Sequence, residues 1–281
     1  MTTIDATLRH ALEVSGRDLI LTLDPALQGL PETAHGGSVL AVFDALAGAT
    51  GLREVAGLYR RRVPLGLPLT LRRAREDSAE AFILSDQAGS VLVDGRVTPL
   101  TGQAENGAPS RPDGNGAGHL LPVSRACFAC GTDNELGLRA RLEFDADSVR
   151  GEWQPRAPFH RPDGTLAPAA LTTLLDEAAF WLGALATGES GMTTELRVSL
   201  HGPAPFDEPV TVRGARAAVR PRDEDARYQE TEIVARAGGR LVATARITFV
   251  VVRGAARRLV GGMLAINDPA CVRRVFPAYT R

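Results

Sequence analysis

The fold of this chain can be inferred from one segment, His35-Gly-Gly-Ser-Val-Leu-Ala-Val-Phe-Asp-Ala-Leu-Ala-Gly-Ala49. After its opening glycines it is apolar around most of a helical circumference, with one carboxylate, Asp44, in the middle. A second stretch has the same character and carries Asp176-Glu177 at the matching place. A helix that is apolar nearly all round must be enclosed by other elements. The sequence therefore predicts two enclosed helices, Gly37 to Ala49 and Ala169 to Ala186.

The two helices belong to an internal repeat, because the same order of elements recurs in both halves of the chain. The offset between aligned segments grows only in the connections, as expected for two copies of one fold, since loops tolerate insertions. Three pairs of segments align: Val42-Phe43-Asp44 with Leu174-Leu175-Asp176, Pro64 to Thr70 with Pro205 to Thr211, and Arg96-Val97-Thr98 with Arg246-Ile247-Thr248.

A polar segment between the copies predicts a domain boundary. Leu100 to Leu121 is rich in Gly, Asn, Pro and Ser and has no apolar periodicity, which is typical of a solvated connector. A chain of 281 residues is also long enough for two compact domains, each with its own core. We expect an N-terminal domain at 1–105, a connector at 106–121 and a C-terminal domain at 122–281.

Each predicted helix is followed by segments with the pattern of strands, which alternate or run apolar and contain β-branched residues. The order in each copy is strand, loop, one long helix and several strands, which predicts an α+β fold with an antiparallel sheet against the helix. The predicted strands of the second copy are Glu195 to Leu200, Val210 to Arg213, Glu230 to Val234 and Leu241 to Val252.

Composition restricts the partners and the compartment. A content of 44% hydrophobic and 23% charged residues is typical of a globular protein, and a net charge of −1 does not attract nucleic acid. No apolar run has the length of a bilayer span, and the N-terminus lacks the order of a secretory signal. Three cysteines cannot all pair within the chain. We expect a cytoplasmic protein without membrane or nucleic-acid partners.

Several classes of chemistry lack their residues in this sequence. The sequence contains arginine but no lysine, so Schiff-base chemistry through a lysine amine is excluded. The sequence has no Gly-x-Ser-x-Gly elbow, no phosphate loop and no dinucleotide fingerprint. Serine-hydrolase and nucleotide-driven reactions are therefore unsupported.

A single enclosed helix wrapped by a curved antiparallel sheet resembles the hotdog fold, and the start of the first helix is similar to its acyl-CoA thioesterase branch. That branch has His-Gly-Gly followed by an acidic residue nine positions after the histidine, as His35 and Asp44 are here. It often has a Cys-Phe-x-Cys-Gly…Asn…Gly-Leu lead-in, which is similar to Cys127-Phe128-Ala129-Cys130-Gly131…Asn134…Gly137-Leu138. The resemblance implies two tandem hotdog domains, each with a long central helix wrapped by a curved antiparallel sheet, that form a pseudo-dimer.

The acidic residues on the two helices are candidate catalytic groups. A carboxylate in a mostly apolar helix costs several kcal/mol unless it is paired or faces a wet cavity. Asp44 and Asp176 recur at matching places, which favours a general base or a nucleophile that faces a ligand cleft. For Glu177 a charge on the one solvated stripe of the helix is an equal alternative.

The His35-Gly36-Gly37 start offers free backbone N–H groups at the positive end of the helix dipole. Glycine lets a substrate approach the backbone closely, and such N–H groups can hold the oxyanion that forms when water attacks a thioester. The alternative is an ordinary glycine-rich helix start with a structurally packed His35. The spacing from His35 to Asp44 favours the catalytic interpretation.

The second copy departs from the family pattern at its helix start. Pro168 has no N–H to donate, and Ala169 crowds the approach to the backbone. In the family, a cleft combines the Gly-Gly turn of one subunit with the acid from the helix of the other. The resemblance therefore implies one complete site, His35-Gly36-Gly37 with Asp176-Glu177, and one degenerate site, Asp44 with Ala167-Pro168-Ala169.

Two further motifs need weighing. Thr193 and Thr194 begin the strand after the second helix, where family members often place a hydroxyl that positions the attacking water, although threonine also simply suits strands. Cys127 and Cys130 have the spacing of a zinc pair, but zinc needs four ligands and no second Cys-x-x-Cys or His-x-His follows. We expect no metal site there, and a tight turn with buried thiols instead.

The resemblance implies an acyl-CoA thioesterase in which Asp176 activates water while the N–H groups of Gly36 and Gly37 bind the carbonyl oxygen. We expect no cofactor beyond the coenzyme A moiety of the substrate, and a homodimer of the fused chain. The alternative is a non-catalytic acyl-CoA binding or sensing protein, favoured by the damaged second helix start. A third hypothesis is a hotdog hydratase or dehydratase, whose members usually carry an Asp/His or Glu/His pair on a different spacing.

Overall fold

The computed structural model describes residues 2–15, 18–102, 118–222 and 225–280. Residues 106–117 of the expected connector lie outside this part. The described residues form five α-helices: α1 (Ile4–His10), α2 (Gly36–Ala47), α3 (Pro168–Thr187), α4 (Ala256–Leu264) and α5 (Pro269–Val275). They form fourteen strands: β1 (Leu12–Ser15), β2 (Asp18–Thr22), β3 (Arg53–Tyr59), β4 (Pro68–Glu76), β5 (Ala79–Ser85), β6 (Val91–Pro99), β7 (His119–Leu120), β8 (Glu143–Phe144), β9 (Ser148–Trp153), β10 (Gly191–Leu200), β11 (Val210–Ala215), β12 (Arg220–Pro221), β13 (Tyr228–Ala237) and β14 (Arg240–Val251).

The two predicted helices are confirmed as α2 and α3, and the four predicted strands as β10, β11, β13 and β14. Both helices end at a glycine in the left-handed region, Gly48 with φ 66° and Gly188 with φ 68°, which stops a helix without side-chain strain. By length and composition α3 could cross a bilayer, but 83% of its apolar window is buried inside the protein. It is therefore a core helix.

The strands join one antiparallel sheet in the order β1-β2-β4-β5-β6-β3-β10-β14-β13-β11-β9-β8-β7, with β12 paired to β13. Strands β3 and β10 meet at its centre, where Arg53 lies opposite Leu200 and Leu58 opposite Glu195. Outward from this seam the order repeats: the strand that follows the helix, then the last long strand of that half, then the strand before it. The repeat in the sequence is thus also a repeat in strand order.

Helices α2 and α3 pack against each other under this sheet. The contact depends on Gly37, because a Cβ there would collide with the carbonyl oxygen of Thr172 and lie 2.7 Å from the Cα of Thr173. The Thr172 hydroxyl donates to the Gly37 carbonyl oxygen at 2.7 Å, which ties the two helices together. The N-terminus of α2 is therefore brought onto the side of α3.

Helices α4 and α5 were not predicted from the sequence. They follow the last strand, and Leu259 and Met263 of α4 line the cavity described below. Phe276, which ends α5, packs against Trp181 of α3 with ring centroids 6.3 Å apart. The C-terminal segment thus covers one end of the region where the two long helices meet.

Candidate active site where the start of α2 meets α3

A cavity of about 610 Å³ lies where the N-terminus of α2 approaches the middle of α3. Its polar wall comes from both halves of the chain and contains His35, Gly36, Asp176, Glu177 and Thr193. Its apolar wall contains Phe180, Trp181, Val250, Leu259 and Met263. The cavity therefore offers polar groups beside a surface suited to an apolar chain.

His35 and Asp176 form the centre of the polar wall. The Nδ1 atom of His35 lies 3.1 Å from Oδ2 of Asp176, and both side chains are buried. The same oxygen accepts the backbone N–H of Gly37 at 3.0 Å. The carboxylate from the second half thus caps the helix of the first half, where the helix dipole favours negative charge.

The two glycines have roles that differ from the expected one. Gly37 gives room to the backbone of α3, and a Cβ on Gly36 would lie 2.7 Å from Oδ2 of Asp176. The missing side chains therefore leave room for helix α3 and the Asp176 carboxylate, whereas the sequence suggested that they leave room for a substrate. The N–H of Gly37 lies 3.0 Å from Oδ2 of Asp176 and 3.3 Å from Nδ1 of His35, and when Nδ1 carries a proton the carboxylate is its acceptor. The N–H of Gly36 has no acceptor among the residues that the structure describes.

Glu177 also points into this cluster and not to a solvated stripe. It is 5% exposed, its Oε2 lies 3.5 Å from Nε2 of His35, and its Oε1 accepts the indole N–H of Trp181 at 2.9 Å. The sequence contained a signal for the Trp181 contact, because residues four apart lie on one face of a helix. The solvated alternative for Glu177 is therefore wrong.

The two threonines separate in the structure. The Thr193 hydroxyl donates to Oδ1 of Asp176 at 2.8 Å, whereas the Thr194 hydroxyl donates to the backbone oxygen of Thr248 at 3.1 Å. The ladder of β10 shifts register between Thr193 and Glu195, so successive side chains do not simply alternate there. Only Thr193 joins the Asp176 cluster.

Charges in the cluster change the proton affinity of its members. Burial lowers the pKa of His35, but hydrogen bonds with Asp176 and Glu177 outweigh it and raise this pKa well above 6.5. Burial raises the pKa of Asp176, but hydrogen bonds and charge from His35, with the Thr193 and Gly37 bonds, leave it lowered. Burial and the Asp176 charge raise the pKa of Tyr59, whose hydroxyl donates to the Gly36 carbonyl oxygen at 2.6 Å.

We expect the imidazole of His35 to stay protonated through neutral pH, in protein freed of metal ions so that no ion competes for its nitrogen atoms. Its raised pKa means that the ion pair stabilises the fold fully below the unfolded value of 6.5, and that this contribution is lost as pH rises through the folded pKa. Asp176→Asn removes the carboxylate that does most to raise the pKa of His35. Glu177 still faces the imidazole, but burial should now bring the His35 pKa down. NMR titration of the imidazole resonances measures both values, and an unchanged pKa in the variant would contradict the pairing.

At the matching place of the first half, Asp44 is held by an arginine. Arg53 Nε lies 2.5 Å and Nη2 2.7 Å from the two Asp44 carboxylate oxygens, and both side chains are about 4% exposed. Arg53 begins the strand after α2, and Thr193 and Thr194 lie near the start of the strand after α3. No spacing in the sequence predicts the pairing of Arg53 with Asp44, since a loop separates them.

At the start of α3, Ala167 occupies the N-cap and makes no side-chain capping bond, and Pro168 is the first helical residue. Ala167 and Ala169 are buried. Because proline has no N–H, this helix start lacks the donor that Gly36 supplies in α2. The two helix starts are therefore chemically unequal.

The cysteine lead-in forms the predicted tight turn with buried thiols. Gly131 N–H donates to the Cys127 oxygen at 2.9 Å, and Phe128 N–H donates to the Gln28 oxygen at 2.6 Å. The Asn134 amide donates to the backbone oxygens of Ala26 and Ala126. The lead-in thus binds the loop that ends at His35, and both Cys127 and Cys130 line the cavity.

Solved structures with similar architecture cover nearly the whole chain. A protein from Thermobifida fusca YX, whose name proposes a thioesterase II, is 18% identical with a TM-score of 0.60 and covers 90% of this chain and 98% of its own. The acyl-CoA thioesterase II TesB2 from Mycobacterium marinum is 12% identical, with a TM-score of 0.52 and coverages of 86% and 96%.

A third similar structure is the dehydratase domain from the CurJ module of curacin polyketide synthase, which is 11% identical with a TM-score of 0.56 and coverages of 86% and 94%. No family model and no curated protein matches the sequence. Identities this low establish the architecture and nothing finer, since one fold hosts several chemistries. The helices and the large antiparallel sheet of this chain are those of the hotdog fold.

Proposed function

We propose that the chain is an acyl-CoA thioesterase with one working site, in which a carboxylate from one half activates water beside the helix start of the other. The observation that carries the proposal is the placement of Asp176 against His35 and Gly37, in the wall of a cavity with an apolar end. The names of similar structures, which include an acyl-CoA thioesterase II, support it.

In this proposal Asp176 is the general base. Its Oδ1 accepts the Thr193 hydroxyl, so a water bound between these two groups has an acceptor for the proton that it loses. The water oxygen attacks the thioester carbon, and the C–S bond breaks as the thiolate of coenzyme A leaves and takes up a proton. His35 and the Gly37 N–H position the carboxylate.

The developing oxyanion needs a donor that is not already engaged. The Gly37 N–H donates to Asp176, so it is not available to the oxyanion. Of the two glycine N–H groups expected to act as donors, only that of Gly36 remains, and Gly36 lines the cavity at the first turn of α2. An oxyanion donor is typically worth about 2.7–4 kcal/mol of the barrier. Pro168 cannot supply one, so we infer that the Asp44 region of the first half does not catalyse the reaction.

The cavity can accommodate both parts of an acyl-CoA. Three consecutive exposed arginines, Arg60, Arg61 and Arg62, lie along it and suit the phosphates of coenzyme A. Phe180, Trp181 and Met263 suit the acyl chain. This division of the wall favours a coenzyme A thioester over an uncharged one.

We also infer how the chain is divided into domains. The repeated strand order on the two sides of the β3–β10 seam supports two tandem hotdog units that imitate a dimer, with boundaries near 1–105 and 122–281. Further assembly into a homodimer of the fused chain, a cytoplasmic location, and hydrolysis that uses no cofactor beyond the substrate's coenzyme A remain parts of the proposal.

The Thr193 hydroxyl should matter and its neighbour should not. Thr193→Val removes a hydrogen bond to a charged group, worth about 1.5–3 kcal/mol, so we expect kcat/KM to fall by about 10-fold or more. Thr194→Val removes a similar group that faces the Thr248 oxygen, and it serves as the matched control with nearly unchanged kcat/KM. Equal losses in the two variants would contradict the placement of the water.

A panel of short, medium, long and aryl acyl-CoAs, with thiol release as the readout, tests the proposed function. Turnover of at least one member is expected. Binding of acyl-CoA without turnover would instead support the alternative of a non-catalytic binding or sensing protein.

The contact between His35 and Asp176 also supports a second candidate function, that of a hydratase or dehydratase. A histidine and an aspartate from different halves lie 3.1 Å apart, and a pair of this kind suits proton transfer in a hydratase or dehydratase. Adding an enoyl-CoA to the panel separates the two reactions. Hydration removes the absorbance of the conjugated double bond and releases no thiol, whereas hydrolysis releases thiol.

A further inference from the structure

A second set of donor atoms lies in the cavity wall next to Asp176. His35, Cys127 and Glu177 each place one metal-binding atom within 4.8 Å of the other two, and all three side chains are buried. They come from the start of α2, the cysteine turn and the middle of α3. We propose that Nε2 of His35, Sγ of Cys127 and Oε2 of Glu177 form a zinc-binding site.

The chemistry of the three donors fits zinc. This ion takes imidazole nitrogen, thiolate sulfur and carboxylate oxygen together, whereas calcium and magnesium require oxygen ligands. The three donor atoms lie within 4.8 Å of one another. To form zinc–ligand bonds of about 2.0–2.3 Å, the two most distant donors would have to move roughly 1 Å closer together. Three protein ligands would leave a fourth position open, and the Cys130 thiol lines the same cavity.

Each proposed ligand is oriented by a second group. Nδ1 of His35 is bound to Asp176 at 3.1 Å, which directs Nε2 toward Glu177. The Trp181 indole N–H holds Oε1 of Glu177, which leaves Oε2 facing the histidine. Carboxylate partners behind a histidine ligand and hydrogen bonds behind a carboxylate ligand are typical of zinc sites, because they fix the tautomer and the orientation.

The cysteine donor is also held in place. The Ala129 N–H donates to Sγ of Cys127 at 3.3 Å, and Phe128 N–H is bound to Gln28. The His35 N–H donates to the Leu27 oxygen at 2.8 Å, so the turn and the histidine are attached to the same short loop. Ligands separated by about ninety residues of sequence are therefore fixed relative to each other.

The sequence predicts no metal site at the cysteine turn, because no second Cys-x-x-Cys or His-x-His group accompanies Cys127 and Cys130. The fold instead supplies the histidine and the carboxylate from two helix positions far from Cys127 in the chain. Zinc would displace the proton from Nε2 of His35 while Nδ1–H still donates to Asp176. The site thus shares His35 with the proposed active site but does not require thioester hydrolysis.

Metal binding to the full chain tests the proposal without a substrate. Chelator-treated protein is dialysed against Zn²⁺ and its metal content is measured; one zinc per chain is expected. Co²⁺ in place of zinc should give the intense thiolate-to-cobalt charge-transfer absorption that reports a cysteine ligand. No retained zinc, or a cobalt spectrum without this absorption, overturns the proposal whether or not the chain hydrolyses thioesters.

Variants then assign the ligands. Cys127→Ser and Glu177→Gln should lower zinc affinity more than the roughly 10–100-fold expected for Asp176→Asn, which removes only an outer partner. Cys271→Ser is the matched control, because this partly exposed thiol donates to the Leu120 oxygen outside the cavity. Unchanged affinity in Cys127→Ser overturns the assignment; if that variant does not fold, the cobalt spectrum of the unmodified chain decides.

Discussion

Asp176→Asn should abolish thioester hydrolysis while the chain stays folded. The amide keeps the size of the side chain, and its oxygen can still accept the Gly37 N–H, but it cannot take a proton from water. Because general-base catalysis contributes about 10²–10⁴-fold, we expect kcat to fall by that amount. Steady-state thiol release measures the loss, and circular dichroism checks the fold.

Asp44→Asn is the matched control, since it makes the same chemical change at the repeated position of the other helix. Its kcat per folded chain should be close to that of the unmodified protein, because Arg53 engages this carboxylate. If Asp44→Asn abolishes turnover and Asp176→Asn does not, the acid acts within its own half and the cross-half assignment is wrong. If neither change matters, neither carboxylate is the base.

The same Asp44→Asn substitution should have a large effect on stability. It leaves the Arg53 guanidinium buried without its counter-charge, and removing one partner of a buried ion pair typically costs about 3–5 kcal/mol. We therefore expect the free energy of unfolding to fall by about that amount. Urea unfolding followed by two spectroscopic probes measures the change.

Two controls sharpen the stability prediction. Glu76→Gln breaks an ion pair with Arg96 that is half exposed, and such surface pairs contribute at most about 1 kcal/mol. Replacing both Asp44 and Arg53 by leucine should recover part of the loss, because apolar side chains avoid the unpaired charge. An Asp44→Asn variant no less stable than Glu76→Gln would show that the buried pair contributes little.

Much of the core could be predicted from the sequence because it depends on local pattern. The apolar circumference of α2 and α3 and the alternation in β10, β11, β13 and β14 identify enclosed helices and half-buried strands. The candidate site could also be predicted, because Asp176 repeats Asp44 at the matching helix position and His35-Gly36-Gly37 opens the other helix of the repeat. Their contact follows once the two units are placed side by side.

The remaining features arise from contacts between segments that no sequence spacing connects. Arg53 pairs with Asp44 across the end of a helix, and Tyr59 reaches the Gly36 oxygen from the central strand. Gly37 resembles a substrate-approach glycine, but helix packing determines its role. Helices α4 and α5 lie outside the repeat that identifies the other elements, so the place of α4 beside the cavity could not be inferred.

A crystal structure of the chain with a non-hydrolysable acyl-CoA analogue tests most directly whether one working site is built from both halves. We predict that the carbonyl oxygen of the analogue accepts the Gly36 N–H, with its reacting carbon beside Asp176 and Thr193 and its phosphates near Arg60 to Arg62. An analogue bound instead between Asp44 and Pro168, or within one half alone, would contradict the proposed site.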